Sequence, residues 1–150
     1  MVNVVSSAEM CQATIQAFDK TDIAILCAAV ADFTPKDTAD KKIKKQPGQT
    51  EMTIQLQTTT DIAAILGKTK QPHQTLVGFA LETHNEQANA ERKLQAKNLD
   101  MIVLNSLQDK GAGFGVDTNK VTLLYANGTK KDLPLLMKQE VADAIIEQII

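Results

Sequence analysis

Apolar and polar positions fall along the chain in blocks that read in turn as strands and helices. Val2 to Val5 is a short run of strand type. Ser6-Ser7-Ala8-Glu9 has the capping-box pattern of a helix start, and Cys11, Ile15 and Phe18 follow at helical spacing. Together they predict a helix near 7–19. Asp22 to Val30 is almost wholly apolar, as in a parallel strand covered on both faces. Thr34 to Gln49 has no apolar period and carries Pro35, Pro47 and Gly48, so it reads as a long, mobile loop. In Glu51 to Gln57, Met52, Ile54 and Leu56 alternate with Thr53, Gln55 and Gln57, the pattern of a half-buried strand. Thr58-Thr59-Thr60-Asp61 offers capping side chains to a short helix running through Leu66.

The second half continues the alternation. Thr75 to Leu81 predicts a buried strand, Asn85 to Asn98 a polar helix, and Asp100 to Asn105 another strand. Lys110 to Asn119 holds three glycines and reads as a loop. Val121 to Ala126 and Lys131 to Leu133 predict a hairpin about Asn127-Gly128. Met137 to Ile149 predicts a terminal amphipathic helix. The order β-α-β-β-α-β-α-β-β-β-α implies an α/β fold, with a mainly parallel sheet flanked by helices and an antiparallel extension near the C-terminus. In such sheets ligands bind beyond the carboxyl ends of strands. Polar loops leave three such ends, after Val30, Leu81 and Leu104.

Composition narrows the picture. At 150 residues the chain fits one domain with one core, and with 43% hydrophobic residues, no Trp and few aromatics that core is aliphatic. A net charge of −2 argues against a generic nucleic-acid binder. No apolar run has membrane length, and Cys11 and Cys27 are the only cysteines, so the expectation is a reduced, cytoplasmic protein. His73 and His84 lack metal-ligand spacing, so no protein-held metal site is expected. There is no Walker loop, no Gly-x-Ser-x-Gly and no dinucleotide fingerprint, which disfavours a dehydrogenase piece.

Candidate chemistry gathers around one strand end. Asp32 follows the apolar strand and reads either as a loop or cap aspartate or as an acceptor for a base, sugar or ammonium group. Lys36, Lys41, Lys42, Lys44 and Lys45 follow it. They form either a solvated charge run or a phosphate-binding loop able to close and exclude water. Asp61 to Ala64 opens a helix, and its amides serve simple capping or an anion. Lys93 and Lys97 lie four apart on one helix face, solvated or gripping phosphates. Phe79 suits core packing or stacking on a base.

These pieces, in order, resemble the phosphopantothenate–cysteine ligase domain of coenzyme A biosynthesis. The resemblance rests on Ala28-Ala29-Val30-Ala31-Asp32-Phe33, Lys42-Ile43-Lys44-Lys45, Asp61-Ile62 and Val77-Gly78-Phe79-Ala80-Leu81-Glu82-Thr83. It continues through Lys93, Lys97-Asn98-Leu99-Asp100, Asn105 and Gly113-Phe114-Gly115-Val116-Asp117-Thr118-Asn119, and so spans nearly the whole chain.

The resemblance implies a Rossmann-like three-layer fold and a CTP-dependent ligase that joins 4′-phosphopantothenate to cysteine through an acyl-cytidylate. Mg²⁺ would accompany CTP as the cofactor, and the protein would be a homodimer. CTP would be bound by Leu26, Cys27, Ala28, Asp32, Lys42, Asp61, Ile62, Ala63, Ala64, Phe79, Lys93 and Lys97. Lys42 would also stabilise charge during activation. The family often has Asn-Pro where this chain has Thr59-Thr60, which keeps the capping role but alters the loop's stiffness. The family's first strand and glycine-rich Asn-x-Ser-Ser-Gly-x-x-Gly loop have no counterpart here. The expectation is therefore that residues 1–150 form the C-terminal portion of the ligase domain, lacking its N-terminal glycine-rich βαβ part. On its own such a chain would bind CTP weakly and not complete the ligation. The competing expectation is a non-catalytic nucleotide-binding or assembly module of the same fold.

Overall fold

Five strands form the central sheet of the computed structural model, which describes residues 1–106, 112 and 115–150. The first half of the chain supplies α1 (Ser7–Phe18), β1 (Ile23–Leu26), β2 (Phe33–Pro35), β3 (Leu56–Thr58), α2 (Ile62–Thr69) and β4 (Thr75–Glu82). The second half supplies α3 (Glu86–Ala96), β5 (Met101–Ser106), β6 (Thr118–Asn119), β7 (Val121–Tyr125), β8 (Lys130–Asp132), β9 (Leu136–Met137) and α4 (Lys138–Ile146). The sheet order is β1-β4-β5-β7-β8. β1, β4 and β5 run parallel, and β7 and β8 extend the sheet antiparallel, as the element order predicts.

Alternation along the strands sorts the core into two faces. Leu76 and Ala80 of β4, Ile102 and Leu104 of β5, and Leu124 of β7 pack with Cys11 and Phe18 of α1, Ile62 and Leu66 of α2, and Ala90 and Leu94 of α3. Val77, Met101, Val103, Val121 and Leu123 face the other way, against Val141 and Ile145 of α4. The result is a three-layer α/β fold. No helix among the described residues is long and apolar enough to cross a membrane.

Local chemistry sets the ends of the elements. Ser6 Oγ accepts from the Glu9 amide at 3.2 Å, and Glu9 Oε2 accepts in return from the Ser6 amide at 3.1 Å, completing the expected capping box. The hairpin at Asn127-Gly128 places Gly128 at φ 83°, a conformation that suits glycine. Gly67 is buried where α2 meets the end of α3, and its carbonyl accepts from Asn98 Nδ2 at 2.8 Å.

Several expectations need correction. Val2 to Val5 is not a strand: these residues are exposed, and the Val5 amide donates to Glu9 Oε2 at 2.7 Å instead of to a ladder. The apolar run from Asp22 is a strand only from Ile23 to Leu26, and its cover is partial: Ala24 and Leu26 pack against one face's core and Ile25 against the other, all three half-buried. β1 stands at the sheet edge, and Cys27, Ala28 and Ala29 beyond it are exposed. Glu51 to Gln57 is not a half-buried strand. Only Leu56–Thr58 pairs, with the three-residue β2, away from the main sheet, so Met52, Ile54 and Leu56 stay exposed. The loop expected at Lys110 to Asn119 falls partly outside the described residues, as do Gly113 and Phe114. Its end pairs as β6 with β9, which no periodicity announced.

Candidate functional site

Beyond the carboxyl end of β1 the chain cannot continue the sheet, and it turns outward through small residues. A groove of about 580 Å³ opens beside it. Phe18 of α1 and Ile23 of β1 supply part of its apolar wall, with Leu99 and Ile102. Leu26, Cys27, Ala28 and Asp32 line it along the strand end. The turn is tied down from the far side of the long excursion. The Thr59 amide donates to the Asp32 carbonyl at 2.9 Å, and Thr59 Oγ1 donates to the Ala31 carbonyl at 2.5 Å.

Asp61, Ile62 and Ala63 line the same groove at the start of α2. Asp61 is the N-cap residue, and its Oδ1 accepts from the Ala64 amide at 3.0 Å. That amide is thereby engaged within the chain, and Ala64 is not among the groove-lining residues. Asp61 Oδ2 lies 2.9 Å from Lys97 Nζ. Burial acts to raise the Asp61 pKa, but the bonds from Ala64 and Lys97 outweigh it, and the carboxyl lies below its ordinary value.

Lys93 and Lys97 reach the groove from α3 and its C-cap, as their spacing predicts. Both are ion-paired: Lys97 with Asp61, and Lys93 with Glu82 Oε1 at 2.6 Å. Phe79 also lines the groove, although it is half-buried and packs with the core cluster on the α4 side of the sheet. Lys42 is not brought to the groove; it is exposed in the stretch joining β2 to β3. Asn105 stands at the end of β5, where its Oδ1 accepts from Asn119 Nδ2 at 3.1 Å.

The structure gives two residues contacts that the sequence did not announce. Thr59, expected only to cap α2, fastens the strand-end turn. Glu82, which the sequence shows as a carboxylate closing an otherwise apolar strand within the Val77–Thr83 segment, pairs Lys93. The groove therefore joins an apolar wall, a helix N-terminus and two lysines with carboxylate partners. Such a surface suits a ligand with a flat or apolar part and a polyanionic part.

The chain is similar to several known proteins. It is 55% identical over 150 residues to "Cysteine/Cysteine sulfinic acid decarboxylase" from an unknown prokaryotic organism, with 100% of this chain and 41% of that protein covered. It is 47% identical over 148 residues to "Coenzyme A biosynthesis bifunctional protein CoaBC" of Bacillus subtilis (strain 168), with 99% of this chain and 36% of that protein covered. The chain thus spans less than half the length of these relatives. Among solved structures, the C-terminal domain of CoaBC superposes with a TM-score of 0.77 at 37% identity, over 99% of this chain and 63% of that one. A DNA/pantothenate metabolism flavoprotein from Streptococcus pneumoniae shares the fold at 17% identity, with a TM-score of 0.76 over 97% of this chain and 70% of that one. Residues 1–150 match the DFP family throughout, and the chain belongs to it: the DNA/pantothenate metabolism flavoprotein C-terminal domain.

Proposed function

We propose that the groove is the CTP-binding part of a phosphopantothenate–cysteine ligase that serves coenzyme A biosynthesis. One observation carries this reading. The β1 strand end, the N-terminus of α2, Lys93 of α3 and Lys97 at its C-cap converge on a single groove. The similarity to CoaBC supports the pathway.

In the proposed reaction a carboxylate oxygen of 4′-phosphopantothenate attacks the α-phosphorus of CTP. The bond to the β-phosphate oxygen breaks, and pyrophosphate leaves. The amine of cysteine then attacks the acyl carbon of the acyl-cytidylate. The bond to the cytidylate oxygen breaks, CMP leaves, and the amine proton passes to solvent. No enzyme group is acylated, so the protein's part is positioning and charge stabilisation.

The residues divide that work. Leu26, Cys27 and Ala28 would offer backbone groups to the nucleoside, with Phe79 beside it. Asp32 and the opening of α2 at Asp61, Ile62 and Ala63 would bind polar edges, with Ala64 holding the Asp61 carboxylate in place. Lys93 and Lys97 would meet the phosphates. Lys42 would join them only by movement of the segment between β2 and β3, and would stabilise charge on the triphosphate. Among the described residues no three His, Cys, Asp or Glu side chains form a metal cage. Mg²⁺, which favours phosphate oxygens and water, would come with the triphosphate of bound CTP and would supply neutralisation of phosphate charge. The same reading makes the protein a cytoplasmic homodimer.

A second reading, a non-catalytic nucleotide-binding module, is favoured by the carboxylate pairing of both groove lysines. Thermal unfolding in the presence of CTP, ATP and NAD tests the first reading. At about 10 times Kd a ligand adds roughly 1.4 kcal/mol of stability, a shift of a few degrees for a chain of this size. CTP is expected to stabilise more than ATP or NAD, and equal or absent shifts would contradict the reading.

A further inference from the structure

Glu82 closes β4, and its side chain is only 12% exposed, against 42% for that of Lys93. Both carboxylate oxygens are held from α3. Oε1 accepts from Lys93 Nζ at 2.6 Å, and Oε2 accepts from Asn89 Nδ2 at 3.3 Å. Asn89 and Lys93 lie four apart and so share one face of α3. Asn89 Nδ2 also donates to the His84 carbonyl at 3.0 Å, which fixes the amide that holds Glu82. The carboxylate is therefore a fixed point on the rigid end of a central strand. The lysine is the long, flexible partner.

An unanchored lysine samples many rotamers, and a ligand that needs one of them must select it. A short charge-assisted bond to a fixed carboxylate makes that selection in advance. Lys93 has three ammonium donors, and Glu82 takes one, so two remain for other oxygens. We infer that Glu82 is a positioning residue: it holds the Lys93 ammonium at the groove, where it meets the phosphate chain of a bound nucleoside triphosphate. This rests on the reading of the groove as a nucleotide site.

Glu82 is itself an anion beside an anion site, so removing its charge and removing its reach act in opposite directions. The test changes reach alone. Glu82→Asp keeps the charge and shortens the side chain by one methylene, so the pair either breaks or draws the ammonium back toward β4. Calorimetric titration with Mg-CTP and with CMP compares wild type, Glu82→Asp, Glu82→Gln, Lys93→Met and the Glu82→Asp/Lys93→Met double variant. The CTP-to-CMP affinity ratio is expected to fall about threefold to fivefold in Glu82→Asp, the scale of one partly exposed charge pair. CMP affinity is expected to stay unchanged. Glu82→Gln keeps the reach and an acceptor oxygen, so it does not lower the ratio. Shortening Glu82 adds no further loss once Lys93 is gone.

An unchanged ratio in Glu82→Asp overturns the inference. So does an equal loss for CTP and CMP, which marks a merely structural residue, or a loss that persists without Lys93. The cytidine reading is decided separately, by CTP against ATP on the wild-type protein, so either claim can fail alone. A wild-type chain that binds no nucleoside triphosphate overturns both.

Discussion

Gly67→Ala is expected to destabilise the protein, although alanine is the better helix former. Gly67 lies within α2, and in an open helix the exchange adds about 0.5–1 kcal/mol of stability. Here a Cβ built on Gly67 meets the Lys97 carbonyl oxygen at 1.8 Å and the Lys97 carbonyl carbon at 2.8 Å. Both atoms are backbone, so no side-chain rotation relieves the clash. Ordinary contact begins at 3.4 Å, and reaching it requires the α2 and α3 ends to separate by more than ~1.5 Å. That movement stretches the Asn98 to Gly67 hydrogen bond of 2.8 Å and carries Lys97 away from Asp61. Overpacking of this kind costs about 1–3 kcal/mol, and loss of the bond adds about 1 kcal/mol. After the propensity gain, a net loss of about 1–3.5 kcal/mol remains, which lowers Tm by several degrees, at about 2–4 °C per kcal/mol for a chain of this length. Urea denaturation followed by circular dichroism measures it. A Gly67→Ala variant as stable as wild type, or more stable, would refute the close approach of the two helices.

Three further outcomes follow from individual contacts. Ser6→Ala removes one half of the capping box at α1 and is expected to lower stability by about 1 kcal/mol, read from the denaturation midpoint. Leu76→Ala opens a cavity at a side chain with 0% exposure and is expected to cost about 2–5 kcal/mol by the same measurement. Asp61→Asn keeps an N-cap acceptor but loses the Lys97 ion pair. The folded pKa of Asp61 lies below its unfolded value, so its charge contributes stability above about pH 4, and this contribution disappears as pH falls through the folded pKa. The pair is about half exposed on the Asp61 side, so the deficit of Asp61→Asn at pH 7 is held to about 0.5–1 kcal/mol. Denaturation curves from pH 7 downward are expected to converge with those of wild type.

The central layers were legible in the sequence because local and tertiary signals agree there. β4 and β5 are continuous apolar runs, and both are buried as a central parallel strand must be. The capping box at Ser6 and the turn at Gly128 depend on neighbours within a few residues, and both were readable. The failures lie where a partner decides the outcome. Val2 to Val5 has strand composition, but its Val5 amide serves the α1 cap. Met52, Ile54 and Leu56 have strand period, yet period cannot say whether a face is covered.

For the site, the spacing of Lys93 and Lys97 told that they share a helix face. It could not tell that Glu82 and Asp61 pair them, because those contacts join residues 11 and 36 positions apart and depend on how α3 docks. The lysine run after Asp32 was equally visible, but visibility did not place it: Lys42 stands away from the groove.

The groove beside β1 is proposed as a cytidine triphosphate site. Amide chemical-shift mapping during titration with Mg-CTP, and separately with Mg-ATP, tests it most directly. CTP shifts are expected to cluster at Cys27, Ala28, Asp32, Ile62, Ala63 and Phe79, with ATP producing weaker shifts at the same residues. Shifts that are absent, that lie away from this groove, or that are equal for the two nucleotides would contradict it.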